Sequence, residues 1–169
     1  KFARENHFPF LGICLGLQMA VVEYARNVCK IEDANSAEFN PEAKNLIIDY
    51  MSNQVDIKEM GASMRLGAYP CKIKKGTLAE RVYKSEQISE RHRHRLEVNN
   101  KYIDQLSQSG LVFSGMYQEH NLAEIVELKD HPWFMAVQYH PEFASKPLNP
   151  HPLFVGFIKA ALENRNSKR

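Results

Sequence analysis

One cysteine stands between two glycines at the point where a strand pattern changes into a helix pattern. Before it, Pro9 to Ile13 form a short apolar run that is typical of a buried strand. After Cys14, apolar residues recur at spacings of three and four, which predicts one buried face of a helix. These apolar positions are Leu17, Ala20, Val21, Tyr24, Ala25 and Val28. A strand that turns directly into a helix favours an α/β fold for this chain.

The predicted position of Cys14 suits a nucleophile. At a helix N-terminus, unpaired backbone N–H groups and the helix dipole favour the thiolate over the thiol, and we expect this for Cys14. Gly12 and Gly16 permit a tight turn and the close approach of a substrate. The pattern alone fits a buried packing cysteine equally well, because free cysteines are often small buried hydrophobic residues.

A histidine and a carboxylate follow a second apolar run far along the chain. Ala136 to Tyr139 reads as a strand, and Pro141 ends it directly after His140. His140 is positioned to take the thiol proton, and Glu142 to hold the imidazole in one tautomer. The pattern therefore predicts a catalytic triad of Cys14, His140 and Glu142.

The motifs at 12–18 and 140–142 resemble the Cys-His-Glu triad of class I glutamine amidotransferases. Four further segments are similar to the glutaminase domains of the CTP synthase family: residues 61–67, 91–100, 131–134 and 151–154. The resemblance covers nearly the whole chain. It implies a flavodoxin-like, mostly parallel sheet flanked by helices, with an antiparallel extension and with the first strands missing.

The resemblance also implies a reaction. Cys14 attacks the side-chain carboxamide of L-glutamine, a γ-glutamyl thioester forms, ammonia leaves and water releases glutamate, with no metal involved. It implies the glutamine contacts Leu15, Gly16, Leu17, Gln18, Glu38 and Arg95. In this scheme the Leu15 N–H belongs to the oxyanion hole, Arg95 holds the α-carboxylate and Glu38 the α-ammonium group.

Other interpretations of these residues stay open at the level of sequence. Gln18 could lie on the exposed face of its helix, and Glu38 could be an ordinary solvated loop carboxylate. We interpret Cys29 and Cys71 as packing residues. The remaining histidines are interpreted as surface or turn residues without a chemical role: His7, His120, His131 and His151.

Arginine and histidine alternate between Arg91 and Arg95. In an extended strand the arginines would face one way, and His92 and His94 the other. A metal site on the His-x-His pair is a minor alternative, because no acidic or cysteine partner lies nearby in the sequence. A nucleic-acid patch lacks support from aromatic residues or net charge.

The resemblance places this chain beside a larger partner. In the family, ammonia passes to an N-terminal amidoligase domain of the same polypeptide, where ATP and magnesium activate UTP for amination to CTP. GTP acts as activator, and the full-length protein is a homotetramer. The chain has no nucleotide-binding motif of its own. The rival hypotheses are a free glutaminase or γ-glutamyl peptidase with the same triad, and a non-catalytic docking or regulatory module.

Composition limits the class of protein. With 169 residues, 44% hydrophobic and 25% charged, the chain fits one domain, which we place at 1–163, followed by a disordered tail at 164–169. The net charge of +2 gives no reason to expect nucleic acid or a membrane as partner. Three cysteines without a C-x-x-C pair favour a reducing cytoplasm.

The first residues read as the end of a helix, and no methionine precedes them. The resemblance therefore implies a fragment that lacks a glycine-rich oxyanion loop upstream of Lys1 and is inactive alone. The remaining strands are predicted at 46–48, 64–73, 88–98, 111–117, 122–128 and 133–139. The remaining helices are predicted at 77–83, 100–108 and 153–162.

Overall fold

The computed structural model describes residues 1–50 and 64–167. Its α-helices are α1 (Phe2–Glu5), α2 (Leu15–Asn27), α3 (Leu78–Tyr83), α4 (Ile103–Gln108) and α5 (Pro152–Ser167). Its strands are β1 (Phe10–Ile13), β2 (Ala34–Ser36), β3 (Asn45–Tyr50), β4 (Arg65–Ile73), β5 (Gln87–His94), β6 (Leu96–Val98), β7 (Leu111–Tyr117), β8 (Leu122–Leu128) and β9 (Phe134–Val137). Short 3-10 helices span Asn100–Tyr102 and Pro141–Phe143. The start of the 61–67 segment lies outside the described residues.

The strands form two mixed sheets. A six-stranded sheet has the order β1-β9-β8-β7-β4-β5, and a three-stranded sheet has the order β2-β3-β6. The α/β architecture with an antiparallel extension is confirmed. Within the described strands, however, parallel pairing is confined to β1 with β9 and β2 with β3. Antiparallel pairing predominates because short turns join β7 to β8 and β8 to β9, and short turns permit only antiparallel neighbours.

Two apolar clusters enclose the strands that carry the site. One cluster joins α2 to the inner faces of β3, β6 and β8, with Leu17, Val21 and Ala25 fully buried. The other lies on the opposite face of the six-stranded sheet, beneath α3 and α5, and includes Met135, Val137 and Leu153. Because β9 contributes side chains to both clusters, the strand beside β1 is held from two sides.

The predicted disordered tail at 164–169 is wrong for its first four residues. Helix α5 continues to Ser167, and the Asn164 side-chain amide donates to the His7 carbonyl oxygen at 3.1 Å. That hydrogen bond joins the last turn of α5 to the segment before β1. Separately, none of the helices within residues 1–50 and 64–167 is long and apolar enough to cross a membrane.

Gly12 is required for the close approach of β1 to α2. A Cβ atom at this position would lie 2.8 Å from the backbone of Gly16 and 2.9 Å from the Ala136 Cβ. We expect Gly12→Ala to lower the free energy of unfolding by about 1–3 kcal/mol, as overpacked core substitutions do. Urea unfolding would measure the change.

Gly16→Ala is the matched control, because a Cβ at Gly16 meets no atom within 4 Å. We expect that change to alter the free energy of unfolding by less than about 1 kcal/mol, in the stabilising direction, since alanine favours helix over glycine. Equal losses from the two substitutions would contradict the packing argument.

Candidate active site

Cys14 occupies a sharp turn between β1 and α2. Its backbone has φ 50° and ψ −103°, a left-handed conformation that is rare for residues other than glycine. The Cys14 N–H donates to the Val137 carbonyl oxygen at 2.8 Å, and its own carbonyl accepts from Leu17 and Gln18. This strained geometry directs the thiol away from the strand and toward the start of α2, as in a nucleophile elbow.

His140 and Glu142 lie at the same edge of the sheet as Cys14. Strands β1 and β9 are parallel neighbours with Ile13 opposite Val137, so the residues that follow both strands emerge side by side. His140 Nδ1 lies 2.6 Å from Glu142 Oε1. The His140 backbone N–H donates to the Arg91 carbonyl oxygen at 2.8 Å, which holds this segment against β5. The structure therefore pairs His140 with Glu142 and places the ends of the strands that precede Cys14 and His140 side by side at one edge of the sheet.

The environment of the Cys14 thiol differs from the one expected. Burial raises the pKa of Cys14, and this effect outweighs the hydrogen bonds from the Leu15 backbone and the Gln138 side chain, which lower it. The charges of Glu97 and Glu142 raise it further. The prediction that the helix N-terminus makes the thiolate the favoured form is therefore wrong. A base is needed to remove the proton at the moment of attack.

Gln138 contacts Cys14, and this contact was not predicted from the sequence. Its side chain is fully buried, and Nε2 lies 3.7 Å from Cys14 Sγ. The Gln138 Oε1 accepts from Gln18 Nε2 at 3.3 Å. Gln18 Nε2 also donates to the Leu96 carbonyl oxygen at 3.1 Å. Gln18 is thus buried, and its interpretation as an exposed helix residue is wrong. A sequence signal existed, because an amide inside an apolar strand beside His140 must find buried partners.

The residues after Cys14 divide into two groups. Leu15 and Gly16 open the helix, where the first backbone N–H groups have no intrahelical acceptor. The Leu15 side chain is about half exposed. Leu17 is different, because its side chain is fully buried in the core and its N–H already donates to the Cys14 carbonyl oxygen. The role of Leu17 as a glutamine contact stays a prediction, and neither its buried side chain nor its bonded N–H is free to take that role.

Glu38 and Arg95 are the two charged residues among the predicted glutamine contacts. Glu38 is exposed in the turn after β2, and its backbone N–H donates to Ser36 Oγ. Arg95 is half-buried between β5 and β6, and its buried Nε has no hydrogen-bond partner among the described residues. Within the described contacts, neither side chain is joined to Cys14. An unpaired guanidinium nitrogen is a vacant donor for an anionic group.

The alternation predicted for the Arg91 to Arg95 segment is confirmed as far as His94, where β5 ends, whereas Arg95 is half-buried. Arg91 and Arg93 are exposed, whereas His92 and His94 are buried with their rings hydrogen-bonded at 2.8 Å. Tertiary structure supplies acidic neighbours that the local sequence lacks: Glu124 lies 3.3 Å from His92 and Glu97 3.4 Å from His94. Burial lowers the pKa of His92 to about 2 and that of His94 to about 3, so both are neutral at pH 7.

Metal binding has no geometric support in the part of the chain that the structure describes. There, no group of three or more His, Cys, Asp or Glu side chains could hold a metal ion. Cys71 and Cys29 pack in or against the two cores, which confirms their interpretation as packing residues.

Two histidines interpreted as surface or turn residues are buried. His151 Nε2 lies 2.7 Å from Glu90 Oε1, and His131 Nε2 lies 3.1 Å from the Ala3 carbonyl oxygen. Both histidines connect distant segments, so no local pattern indicated their burial. His7 and His120 are exposed, as expected.

Comparison with known proteins finds relatives along the whole chain. The family described as "Glutamine amidotransferase class-I" matches residues 1–160. A CTP synthase of Geobacter sulfurreducens is 59% identical over 169 residues, which are 100% of this chain and 32% of that protein. One from Treponema denticola is 58% identical over 165 residues, 98% of this chain and 31% of that protein. The chain therefore spans about a third of the length of these curated relatives.

A solved structure has the same fold and a related sequence. The glutaminase domain of Trypanosoma brucei CTPS, solved with bound acivicin, superimposes with a TM-score of 0.88 at 41% sequence identity. The match covers 95% of this chain and 62% of that one.

Proposed function

Because this chain belongs to the class I glutamine amidotransferase family, we propose that it hydrolyses the side-chain carboxamide of L-glutamine through a thioester on Cys14. The observation that carries the proposal is the His140–Glu142 pair at the edge of the sheet where the Cys14 turn emerges. The likeness to a glutaminase domain solved with acivicin supports glutamine as the substrate.

Each step of the proposed reaction has a group to perform it. Glu142 accepts from His140 Nδ1, which leaves Nε2 free to take the proton from the Cys14 thiol. The sulfur attacks the carboxamide carbon, and the N–H group of Leu15 stabilises the resulting oxyanion. His140 gives its proton to the departing ammonia. Water, deprotonated by the same imidazole, then cleaves the thioester to glutamate and restores the thiol.

Substrate contacts are assigned to the residues that retain a free polar group. We assign the α-carboxylate of glutamine to Arg95, whose unpaired Nε and neighbouring amino groups form a bidentate fork. The α-ammonium group is assigned to exposed Glu38. Gln18 uses its amide nitrogen within the fold, so only its carbonyl oxygen is available to a ligand.

The whole protein is proposed to be a CTP synthase, of which this chain forms the glutaminase domain at residues 1–163. Curated relatives of that name, 58–59% identical, support this. The ammonia would pass to an amidoligase domain that uses ATP and magnesium to aminate UTP, with GTP as activator, in a cytoplasmic homotetramer. These ligands are assigned to that domain, and no step proposed for Cys14 is routed through them.

A glutamine-analogue electrophile tests the proposal. We expect acivicin to add one mass adduct to the peptide that carries Cys14, and Cys14→Ser to abolish it. Iodoacetamide measures general thiol reactivity, and Cys29 serves as an internal control because it is a partly buried thiol, in the same burial class as Cys14, that the proposed reaction does not use. Intact protein mass and peptide mapping provide the measurement.

The experiment has two arms, so that the context of the domain is controlled. One arm uses this chain alone, and the other uses a chimera in which the chain replaces the matching third of the Geobacter sulfurreducens relative. Alkylation of Cys14 by iodoacetamide in both arms, with no acivicin adduct in either, would contradict a glutamine-specific site. Ammonia release from glutamine by the chimera, lost in Cys14→Ser, is the expected catalytic result.

A further inference from the structure

We propose that Gln138 is a further catalytic residue, which donates a hydrogen bond from its side-chain amide to the sulfur of Cys14, and that Gln18 is the positioning residue that orients this amide. The inference rests on the proposed function in one respect, since it takes Cys14 as the nucleophile. It concerns how the thiolate is stabilised and therefore can be measured without glutamine.

The direction of the Gln138 amide follows from a backbone carbonyl. The Leu96 carbonyl oxygen can only accept, so Gln18 must present its Nε2 to it at 3.1 Å. The same Nε2 faces Gln138 at 3.3 Å and requires an acceptor there, which is Oε1. Gln138 must then turn its Nε2 toward Cys14 Sγ, at 3.7 Å. The polarity of the whole series of contacts is thereby set, and the sulfur receives a donor.

Strand pairing does not require this side chain. The Gln138 backbone N–H donates to the Glu124 carbonyl oxygen at 2.9 Å, a contact that any residue except proline could make. The side chain is fully buried at a place where neighbouring positions of β9 are apolar. A buried amide is costly unless its polar atoms are paired, and one of the partners of this amide is the reacting sulfur.

The hydrogen bond would act when sulfur carries charge. Burial raises the pKa of Cys14, and the Gln138 amide opposes that effect. The amide stays neutral and transfers no proton. It stabilises the thiolate that attacks the carboxamide, and again the thiolate that leaves when water cleaves the thioester. A hydrogen bond to a charged group inside a protein is stronger than a neutral one.

The test is the pH dependence of iodoacetamide alkylation at Cys14, followed by peptide mass spectrometry. Gln138→Met keeps the approximate shape of the side chain and removes the donor. We expect the midpoint of the alkylation profile to rise by about one pH unit, which lowers the rate tenfold at a pH below the midpoint. Gln138→Glu should raise the midpoint further, because it keeps an acceptor for Gln18 and places a carboxylate beside the sulfur.

Gln18→Met removes only the orienting contact and should raise the midpoint by less than Gln138→Met. Ser114→Ala is the matched control, since Ser114 is a fully buried polar residue on β7, which is separated from β9 by β8. An unchanged midpoint in folded Gln138→Met would overturn the proposal. If Gln138→Met does not fold, an unchanged midpoint in Gln18→Met would overturn the proposal instead. A shifted midpoint without acivicin labelling would instead leave this inference intact and count against glutamine as substrate.

Discussion

His140→Asn is expected to lower the rate of glutamine hydrolysis by about 10²–10⁴-fold, the usual contribution of a positioned general acid and base. The asparagine amide can still donate to Glu142 from nearly the same place as Nδ1. It has no counterpart of Nε2, the atom that takes the thiol proton. Because burial raises the pKa of Cys14, little thiolate forms at neutral pH without that base. Ammonia release by the chimera measures the loss.

The same substitution at His120 provides the control, because that histidine is exposed and lies outside the site. His120→Asn should leave the rate of hydrolysis unchanged. Glu142→Gln should cause a smaller decrease than His140→Asn, since it disturbs the tautomer and leaves the base in place. Retention of more than a tenth of the wild-type rate in His140→Asn would show that another group deprotonates Cys14.

Arg65→Met is expected to lower the free energy of unfolding by about 3–5 kcal/mol, the cost of breaking a buried ion pair from one side. Arg65 Nη1 lies 3.0 Å from Glu97 and 2.8 Å from Glu124, and all three side chains are almost fully buried. Its guanidinium also lies over the Tyr69 ring at 4.5 Å. Without Arg65, two carboxyl groups remain in the interior with no cation beside them.

The size of that loss should depend on pH. Burial raises the pKa of Glu97 to about 8 and that of Glu124 to about 7, above the ordinary value of 4.5. The folded protein therefore binds more protons than the unfolded chain between about pH 4.5 and 8, and the stability contributed by these carboxyls is lost progressively as pH rises from about 4.5 to about 8. Removing Arg65 raises both pKa values further, so we expect a larger loss at pH 8 than at pH 5.

Urea unfolding at the two pH values measures both effects. Lys75→Met is the control, because Lys75 pairs with Glu86 at 2.7 Å on the exposed surface, and the unfolding midpoint should not move. A triple variant that combines Arg65→Met with Glu97→Gln and Glu124→Gln should be more stable than Arg65→Met alone, since none of these three charges then remains buried. Equal losses from Arg65→Met at pH 5 and pH 8 would contradict the assigned protonation.

Local patterns predicted the elements that have strong local signals. The strands at 111–117 and 122–128 agree with β7 and β8 residue for residue. The helix predicted from Thr77 is α3, and the Thr77 hydroxyl accepts from the Glu80 N–H at 3.2 Å, as a helix cap should. Alternation predicted that His92 and His94 face inward. These results depend on periods of 2 and 3.6 residues, which are properties of the neighbouring chain.

Local patterns did not predict which distant groups meet. The carboxylates beside His92 and His94 come from β8 and β6, and their arginine comes from β4. The burial of His151 depends on Glu90 of β5. Periodicity assigns a side chain to a face, whereas the order of strands in the sheet decides what lies opposite that face.

For the site, the sequence by itself determined the strand, the turn and the helix around Cys14, and it paired His140 with Glu142, because residues two apart after a strand lie within contact distance. Only the tertiary structure decided that β1 and β9 are parallel neighbours, which brings Cys14 to the same edge of the sheet. It also decided that the thiol is buried and that Gln138 contacts it. Burial and hydrogen bonding depend on packing between segments more than 120 residues apart in the chain, and burial is the largest of the effects that set the raised pKa of Cys14.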